Sequence, residues 1–266
     1  MQVRPLIVRS FIAAAAAAAG LENASIVLAP LGDTPGPAVS VDAERPTYPA
    51  SMIKVPIAAA LALTYADGER RPADRIRVEA RQLTPNDAPS PFVLGYETTL
   101  EATARAMIAD SDNVATNVLI DALGRDRIGA ICRERLGLQA TAVRRKLSGA
   151  LPLIDDPEAT GRNAHPAADA AALFAAVARE RDGTFAPVYA ALAAQIWNGK
   201  LSAGLEPADR FAHKTGDTDD ASHDGGILSL ADGRSYVLVA YTTLASSPES
   251  DARFAAFART LRAALG

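Results

Sequence analysis

The sequence predicts an α+β fold in which one antiparallel sheet, built from both chain ends and covered by the terminal helices, carries an inserted all-helical lobe. Strand-like patterns lie near both ends of the chain, whereas helical periodicity dominates from about residue 51 to about residue 200. The length of 266 residues suits one large domain or two small lobes, and it is sufficient to bury a sizeable core.

The N-terminal segment MQVRPLIVRSFIAAAAAAAG admits two interpretations. It fits an alanine-rich helix that ends at Gly20, a residue suited to the position after a helix. Its two arginines, apolar stretch and Ala-x-Ala choices also fit an export signal. We expect the helix. Two strand-like runs follow at residues 24–32 and 37–44, and they resemble a hairpin around GDTPG.

The middle of the chain is predicted to be helical. The amphipathic segments LEATARAMIAD and NVATNVLIDALG are adjacent, and HPAADAAALFAAVARE and APVYAALAAQIWNG are two further helices, the second closed by Gly199. The single cysteine, Cys132, lies in another helical pattern and cannot form an intrachain disulfide. We expect it to be a small buried apolar residue.

The C-terminal part returns to strand patterns. RFAHKTG reads as a strand, DTDDASHDGG as a polar turn-rich segment, and ILSLADGRSYVLVAYTT as two strands around Asp232-Gly233. The chain closes with an amphipathic helix that Ser250 could cap. We therefore expect an α/β lobe from residues 1–48 and 205–266, a helical lobe from residues 49–204, and an active site in the cleft between them.

Composition narrows the classes of partner. The net charge is −4 with no basic stripe, which argues against nucleic acid. No apolar run reaches the ~18 residues that a membrane-spanning helix needs. The motifs H-E-x-x-H, C-x-x-C and G-x-S-x-G and a glycine-rich phosphate loop do not occur, so no metal and no cofactor are expected. We expect a monomer that acts on a small molecule.

Ser51 and Lys54 form an S-x-x-K motif at the head of an alanine-rich helical run. Residues three apart share a helix face, and a backbone N–H at a helix start is free to bind a developing oxyanion. Lys54 could then take the proton of Ser51 if it is neutral at some stage. The structural alternative is a serine cap followed by a solvated lysine.

The segment Ser111-Asp112-Asn113 falls at the junction of two helical patterns. All three residue types cap helices well, which is the structural alternative. As a functional loop, it would present the Ser111 hydroxyl to a leaving group and the Asn113 amide to a substrate amide.

The segment Lys214-Thr215-Gly216 ends a predicted strand. Gly216 would let a ligand approach the backbone closely. Lys214 would supply a positive charge and Thr215 a hydroxyl for a carboxylate. The structural alternative is a strand end with an exposed lysine.

Taken together, S-x-x-K, S-D-N and K-T-G occur in that order, with intervals of 60 and 103 residues between their first residues. In these motifs and their spacing the chain resembles the class A β-lactamases and their penicillin-binding-protein relatives over nearly its whole length. The resemblance implies the two-lobed β-lactamase/transpeptidase-like fold.

The same resemblance implies roles for the motif residues. Ser51 would be the acylated nucleophile and Lys54 its base partner, while Ser111 would shuttle the proton. The backbone N–H groups of Ser51 and Asp217 would form the oxyanion hole.

Substrate binding would fall to the remaining motif residues. Asn113 would bind the substrate amide, and Lys214 with Thr215 would hold the substrate carboxylate beside Gly216. The expected substrate is a β-lactam or a peptidoglycan-like peptide. A family role in protecting cell-wall synthesis implies a location outside the cytoplasm, although the N-terminus is not a convincing cleavable signal.

The chain departs from the family pattern in the loop that carries the deacylating glutamate. Aligned from Thr141, Arg145 fits the family's arginine, but the glutamate's place falls on or near Leu147, and the loop is about two residues longer. Asp155, Asp156 or Glu158 could bend back into the site, and of these we expect Glu158 to supply the base.

The arginine that many class A enzymes carry on the strand after K-T-G is also missing. Its neighbourhood offers Ser222 and His223 instead. We therefore expect a serine hydrolase that opens β-lactams through an acyl-enzyme at Ser51, with slow deacylation. The alternatives are a D-Ala-D-Ala carboxypeptidase or transpeptidase and a sensor domain that binds β-lactams and stays acylated.

Overall fold

The computed structural model describes residues 8–32 and 36–266, so the first seven residues of the expected N-terminal helix and the centre of the GDTPG turn lie outside the described residues. The chain divides into two compact units. We call them the sheet unit (Met1–Met52, Pro166–Ala175 and Trp197–Gly266) and the helical unit (Ile53–His165 and Ala176–Ile196).

All strand pairs in the described part of the chain are antiparallel. The strands are β1 (Ser25–Leu31), β2 (Val39–Val41), β3 (Arg75–Arg77), β4 (Glu97–Thr99), β5 (Arg210–Thr218), β6 (Ala221–Ser229) and β7 (Ser235–Thr242). Five of them form the sheet of the sheet unit in the order β2-β1-β7-β6-β5, and β3 pairs with β4 in the helical unit. The sheet is therefore built from both ends of the chain, as predicted, and β5 lies at its edge.

Helices make up much of the remainder of the described chain. Their bounds are α1 (Arg9–Ala18), α2 (Lys54–Ala66), α3 (Leu100–Ala109), α4 (Asn113–Leu123), α5 (Arg125–Glu134), α6 (Ala167–Arg179), α7 (Ala186–Ala193) and α8 (Pro248–Leu265). Short 3₁₀ helices occur at Ala50–Ile53, Ala80–Gln82 and Leu201–Gly204.

The core of the sheet unit joins the terminal helices to the sheet. Ile12 of α1 and Phe254 and Phe257 of α8 are fully buried in one cluster with Ile26 of β1 and Leu238 of β7. Burial of such side chains is the main stabilising contribution to this unit, at about 1.5–3 kcal/mol for each large apolar side chain. The α+β class predicted from the sequence is thus confirmed.

The centre of the helical unit is α2, in which every residue from Lys54 to Thr64 is buried. A helix that is apolar around its whole circumference belongs in a core rather than at a surface. Pro56 is accommodated because it lies in the first turn, where the backbone N–H groups have no intrahelical acceptor. In the described part of the chain, no helix combines the length and apolar character needed to cross a membrane.

Three local predictions were wrong. The helix expected to be closed by Gly199 is α7, which ends at Ala193, because Ile196 N donates to Ala109 O instead of continuing the helix. The segment ASHDGG, predicted as part of a polar turn, belongs to β6, because Ser222, His223 and Asp224 are buried with hydrogen-bond partners. The final helix is capped by Ser247 rather than Ser250. Ser250 instead occupies the third helical position and completes a capping box with Ser247.

Gly204 offers a test of packing in the sheet unit. A Cβ at this position would collide with the Ala255 carbonyl oxygen and would lie 2.8 Å from Ala258 Cβ on α8. We expect Gly204→Ala to destabilise the protein by about 1–3 kcal/mol, since backbone must move to make room. Urea unfolding followed by circular dichroism measures this.

The matched control is Gly183→Ala, where the added Cβ meets its nearest neighbour at an ordinary 3.7 Å. We expect that control to unfold at nearly the wild-type urea concentration. Equal midpoints for the two variants would contradict the packing described here.

Candidate active site

Three of the motif residues predicted from the sequence meet in the helical unit. Lys54 is fully buried at the start of α2, and its Nζ donates to Ser111 O at 2.6 Å, to Ser111 Oγ at 3.1 Å and to Asn113 Oδ1 at 2.8 Å. The structural alternative of a solvated lysine is therefore wrong. The first two motifs form one hydrogen-bonded cluster in which a lysine nitrogen is within proton-transfer distance of a serine hydroxyl.

The S-D-N segment is held in place by local backbone geometry. Ser111 adopts a left-handed conformation with φ of 60°, and Asp112 caps α4 by accepting a hydrogen bond from Ala115 N at 2.7 Å. Asn86 Oδ1 accepts the Asn113 N–H at 2.5 Å, and Asn113 Nδ2 donates to Pro85 O at 3.0 Å. The helix-capping role that was considered as the structural alternative is thus confirmed for Asp112. The cap also orients the neighbouring residues Ser111 and Asn113.

Ser51 lies in the sheet unit, in the 3₁₀ helix Ala50–Ile53. The preceding residue, Ala50, has φ of 47°, which is unusual for alanine, and Met52 N donates to Pro49 O at 2.9 Å. The Ser51 N–H is in the first turn of this helix, where no intrahelical acceptor exists. It is therefore available to a ligand oxygen.

The turn that carries Ser51 packs against Gly216 of β5. A Cβ built on Gly216 would lie 2.9 Å from Pro49 O, 3.2 Å from Ala50 Cβ and 3.2 Å from Met52 Cγ. A side chain at this position would displace the turn. The glycine of the third motif consequently fixes the distance between β5 and the Ser51 segment.

A buried histidine anchors the same turn to β6. His223 Nε2 lies 2.8 Å from Tyr48 O, and Nδ1 lies 2.8 Å from Ser222 O and 3.2 Å from Thr242 N. Burial lowers the pKa of His223 to about 4, so the ring is neutral at physiological pH.

The strand β5 presents the third motif along the free edge of the sheet. Lys214 is fully buried and its Nζ donates to Thr215 O at 2.9 Å. A two-residue turn joins β5 to β6. The residues that flank it, Thr218 and Ala221, therefore form a pair whose backbone N–H and C=O groups bond to each other across the two strands. Such hydrogen-bonded pairs alternate along an antiparallel ladder with pairs that are not hydrogen-bonded. In the next pair, the backbone N–H of Asp217 therefore points away from β6 and remains open to a ligand.

Leu147 lies on or near the position where the family resemblance predicts the glutamate. Its backbone N–H donates to Asn117 Oδ1 at 2.7 Å, and its carbonyl accepts from Asn117 Nδ2 at 2.9 Å. Both residues are buried. The loop is thus pinned to α4 at Leu147, with an apolar side chain in place of a carboxylate.

The three carboxylates considered as substitutes have different environments. Asp156 is buried and binds the Lys146 N–H at 2.7 Å and Arg125 at 2.6 Å. Glu158 binds Arg125 at 2.5 Å, and its side chain is 73% exposed. Asp155 is exposed. Glu158 makes its described contact with Arg125 rather than with the cluster around Lys54.

Sequence reasoning missed Asn86, Asn117 and Lys200. Asn117 lies four residues after Asn113 on α4, so helical spacing alone could have placed both on one face. The contact of Asn86 with Asn113 spans 27 residues, and no local pattern indicates it. Lys200 binds atoms of β5 and β6 and was equally invisible in the sequence.

Comparison with known proteins identifies the class. A sequence model of the beta-lactamase enzyme family matches residues 8–265, so the chain belongs to that family. This confirms the resemblance found from the three motifs. No curated protein matches the chain.

Solved structures with this fold include both β-lactamases and a penicillin-binding protein. A β-lactamase from Sphaerobacter thermophilus DSM 20745 is 25% identical, with a TM-score of 0.82 and 97% of each chain covered. PBP-A is 21% identical, with a TM-score of 0.83 and coverage of 100% of this chain and 99% of its own. A mutant of PBP-A (21% identity, TM-score 0.82, covering 98% and 99%) was solved as an acyl-enzyme complex with penicillin G.

The buried histidines should make stability depend on pH. The pKa of His223 is lowered to about 4 and that of His165 to about 3, against about 6.5 in an unfolded chain. Between pH 6.5 and 4 the unfolded chain therefore binds more protons, so this stability is complete above pH 6.5 and is lost as pH falls. We expect His223→Gln to flatten the pH dependence of the unfolding free energy by up to about 1.4 kcal/mol per pH unit.

Urea unfolding at several pH values between 4.5 and 6 measures this slope. The other buried histidine, His165, lies 2.7 Å from Thr141 Oγ1 through its Nδ1. His165→Gln should flatten the slope by a similar amount. A wild-type slope retained in His223→Gln would show that this imidazole titrates in the folded protein as it does in the unfolded chain.

Proposed function

We propose that this protein is a serine hydrolase that opens β-lactam amides through an acyl-enzyme at Ser51 and deacylates slowly. The observation that carries the proposal is the contact of buried Lys54 with both Ser111 and Asn113, which joins the first two motifs. Family membership supports the same chemistry.

In acylation, Ser51 Oγ attacks the β-lactam carbonyl carbon and its proton passes to Lys54, which must first give up one of the three protons that it donates at rest. The carbonyl oxygen becomes an oxyanion, for which the N–H groups of Ser51 and Asp217 are the proposed donors. The C–N bond then breaks, and a proton passes through Ser111 Oγ to the leaving nitrogen. The product is an ester on Ser51 with the ring opened.

Substrate binding is proposed to use the other motif residues. Asn113 would bond the acyl amide of the substrate, and Lys214 with Thr215 would hold its carboxylate through charge-assisted hydrogen bonds worth about 1.5–3 kcal/mol. Gly216 would let the substrate lie close to β5.

The assignment of the nucleophile is directly testable. We expect Ser51→Ala to abolish covalent labelling by a fluorescent penicillin, because no other group would carry the acyl ester. Gel fluorescence and intact mass measure the labelling. Ser40→Ala, at an exposed serine of β2, is the matched control and should remain labelled. Labelling that survives in Ser51→Ala would place the nucleophile elsewhere.

Deacylation needs a base that activates water on the acyl carbonyl. At the family's glutamate position this chain has Leu147, which cannot accept a proton. A positioned general base contributes about 10²–10⁴-fold in rate. We therefore propose that the acyl-enzyme accumulates, and that Glu158 supplies whatever base assistance exists.

We expect intact mass after brief mixing with benzylpenicillin to show an adduct on Ser51, and product release to show a burst followed by a slow steady rate. Leu147→Glu should raise the steady rate about tenfold or more, because the backbone at this position is already held by Asn117. Glu158→Gln should lower it and leave the burst unchanged.

The outcomes separate the two carboxylate positions. Fast turnover by the wild type without a detectable adduct would contradict slow deacylation. An unchanged steady rate in Glu158→Gln would exclude Glu158 and leave Asp155 and Asp156 as candidates.

A second candidate function follows from the leucine at position 147. An enzyme that does not hydrolyse its acyl ester quickly fits a penicillin-binding role, either as a D-Ala-D-Ala carboxypeptidase or transpeptidase, or as a β-lactam sensor. Release of D-alanine from a D-Ala-D-Ala peptide would identify the peptidase. Stable acylation with neither nitrocefin turnover nor D-alanine release would identify the sensor.

A further inference from the structure

A buried lysine that belongs to none of the three motifs lies beside the oxyanion-binding strand. Lys200 is 3% exposed, and its Nζ donates to Asp217 Oδ1 at 2.5 Å, to His223 O at 3.2 Å and to Gly216 O at 3.5 Å. The ring of Phe254 lies 5.6 Å from the same nitrogen. All five residues belong to the sheet unit, so this arrangement is internal to one compact body.

The partner of Lys200 combines two opposing features. The backbone N–H of Asp217 faces the free edge of β5 and is the proposed oxyanion donor, yet the same residue carries a carboxylate. A negative charge a few ångströms from a developing oxyanion opposes its formation. The Asp217 side chain is 33% exposed, so it is only partly screened by water.

The hydrogen bonds around Asp217 show how that charge is compensated. Oδ1 accepts from Lys200 Nζ and from Ser222 Oγ at 3.2 Å. Among the residues that the structure describes, Asp217 has the carboxylate that lies within hydrogen-bond distance of Lys200.

Two other acidic residues of the sheet unit influence this region from different elements. Asp224 is bonded to His213 at 2.8 Å and accepts from Leu201 N at 3.0 Å. Asp251 lies on α8, and burial raises its pKa, with Lys200 acting in the opposite direction. Asp224 has its own partners, and Asp251 makes no hydrogen bond to Lys200.

We propose that Lys200 is a positioning residue that neutralises the Asp217 carboxylate and fixes the end of β5, so that the Asp217 N–H can stabilise an oxyanion. The inference rests on the proposed function, since it assumes that an oxyanion forms at Ser51. Its chemistry is distinct from carboxylate recognition by Lys214. Lys200 acts on the reaction of every acyl substrate, whether or not the substrate carries a carboxylate.

The test is a charge-removal cycle on the full-length chain. We compare wild type, Lys200→Met, Lys200→Arg and the double variant Lys200→Met/Asp217→Asn. The measured quantity is the second-order rate of Ser51 acylation by benzylpenicillin and by its methyl ester, followed by intact mass. Thermal unfolding of each variant accompanies the kinetics.

Lys200→Met should slow acylation by about tenfold with both the acid and the ester. This loss is smaller than the ~10²–10³-fold loss that follows from removing an oxyanion donor itself. Removing the uncompensated charge in Lys200→Met/Asp217→Asn should recover most of the rate. Lys200→Arg should stay nearer the wild type because it retains the positive charge.

Each alternative gives a different result. If Lys200→Met and the double variant are equally slow, Lys200 serves packing alone and the proposal is overturned. A loss confined to the acid substrate would make Lys200 a carboxylate-binding residue and overturn it equally. Wild-type acylation that survives unchanged in Lys200→Met refutes this inference only, whereas a wild type that is never acylated refutes the proposed function as well.

Discussion

The site depends on one close approach, the packing of the Ser51 turn against a strand position without a side chain. Because Gly216 has no Cβ, the backbone from Pro49 to Met52 lies directly on β5. A Cβ at this position would force the turn to move by a few tenths of an ångström, in a region where interior packing leaves little free volume. The two N–H groups proposed to bind one oxyanion would be weakened by such a shift, since hydrogen-bond energy falls steeply with poor geometry.

Buried cations set the second constraint. Lys54, Lys200 and Lys214 are each almost completely shielded from water, and such groups destabilise a fold unless oxygens replace the lost hydration. The structure supplies hydroxyl, amide and carbonyl oxygens around Lys54, and a carboxylate with carbonyl oxygens around Lys200. Stability of the fold and function of the site therefore depend on the same hydrogen bonds.

Much of the fold and the principal motifs could be predicted from the sequence because their signals are local. The change from strand-like alternation to helical periodicity indicated the sheet and the helices. Each of the motifs S-x-x-K, S-D-N and K-T-G consists of residues that are close together in the chain. The strand β6 was missed at its polar start because His223 is stabilised there by Tyr48, 175 residues away. A buried polar residue whose partner is so remote looks like a turn in the sequence alone.

The same limit applies to the partners of the motif residues. Lys200, Asn86 and Asn117 act through contacts that only the folded chain creates, so none carries a recognisable pattern. Glu158 shows a related limit: it was chosen from the sequence for its reach, and the structure adds a partner, Arg125, that the sequence did not indicate. Residue type and spacing predict candidate chemistry, and tertiary contacts decide which groups are engaged elsewhere.

The loop around Leu147 explains how acylation and deacylation can be separated by one side chain. Asn117 holds Leu147 through its main-chain N–H and C=O alone. Those two bonds form with any residue at that position, so the loop scaffold is independent of the side chain it displays. A carboxylate there would have a proton-accepting oxygen, whereas a leucine side chain has neither a hydrogen-bond donor nor an acceptor. The groups proposed for acylation lie at the start of α2, in the turn before α4, on β5 and in the Ser51 turn, and none of them belongs to this loop. In the proposed mechanism, the fold retains the groups for acylation while a single apolar side chain prolongs the life of the acyl-enzyme.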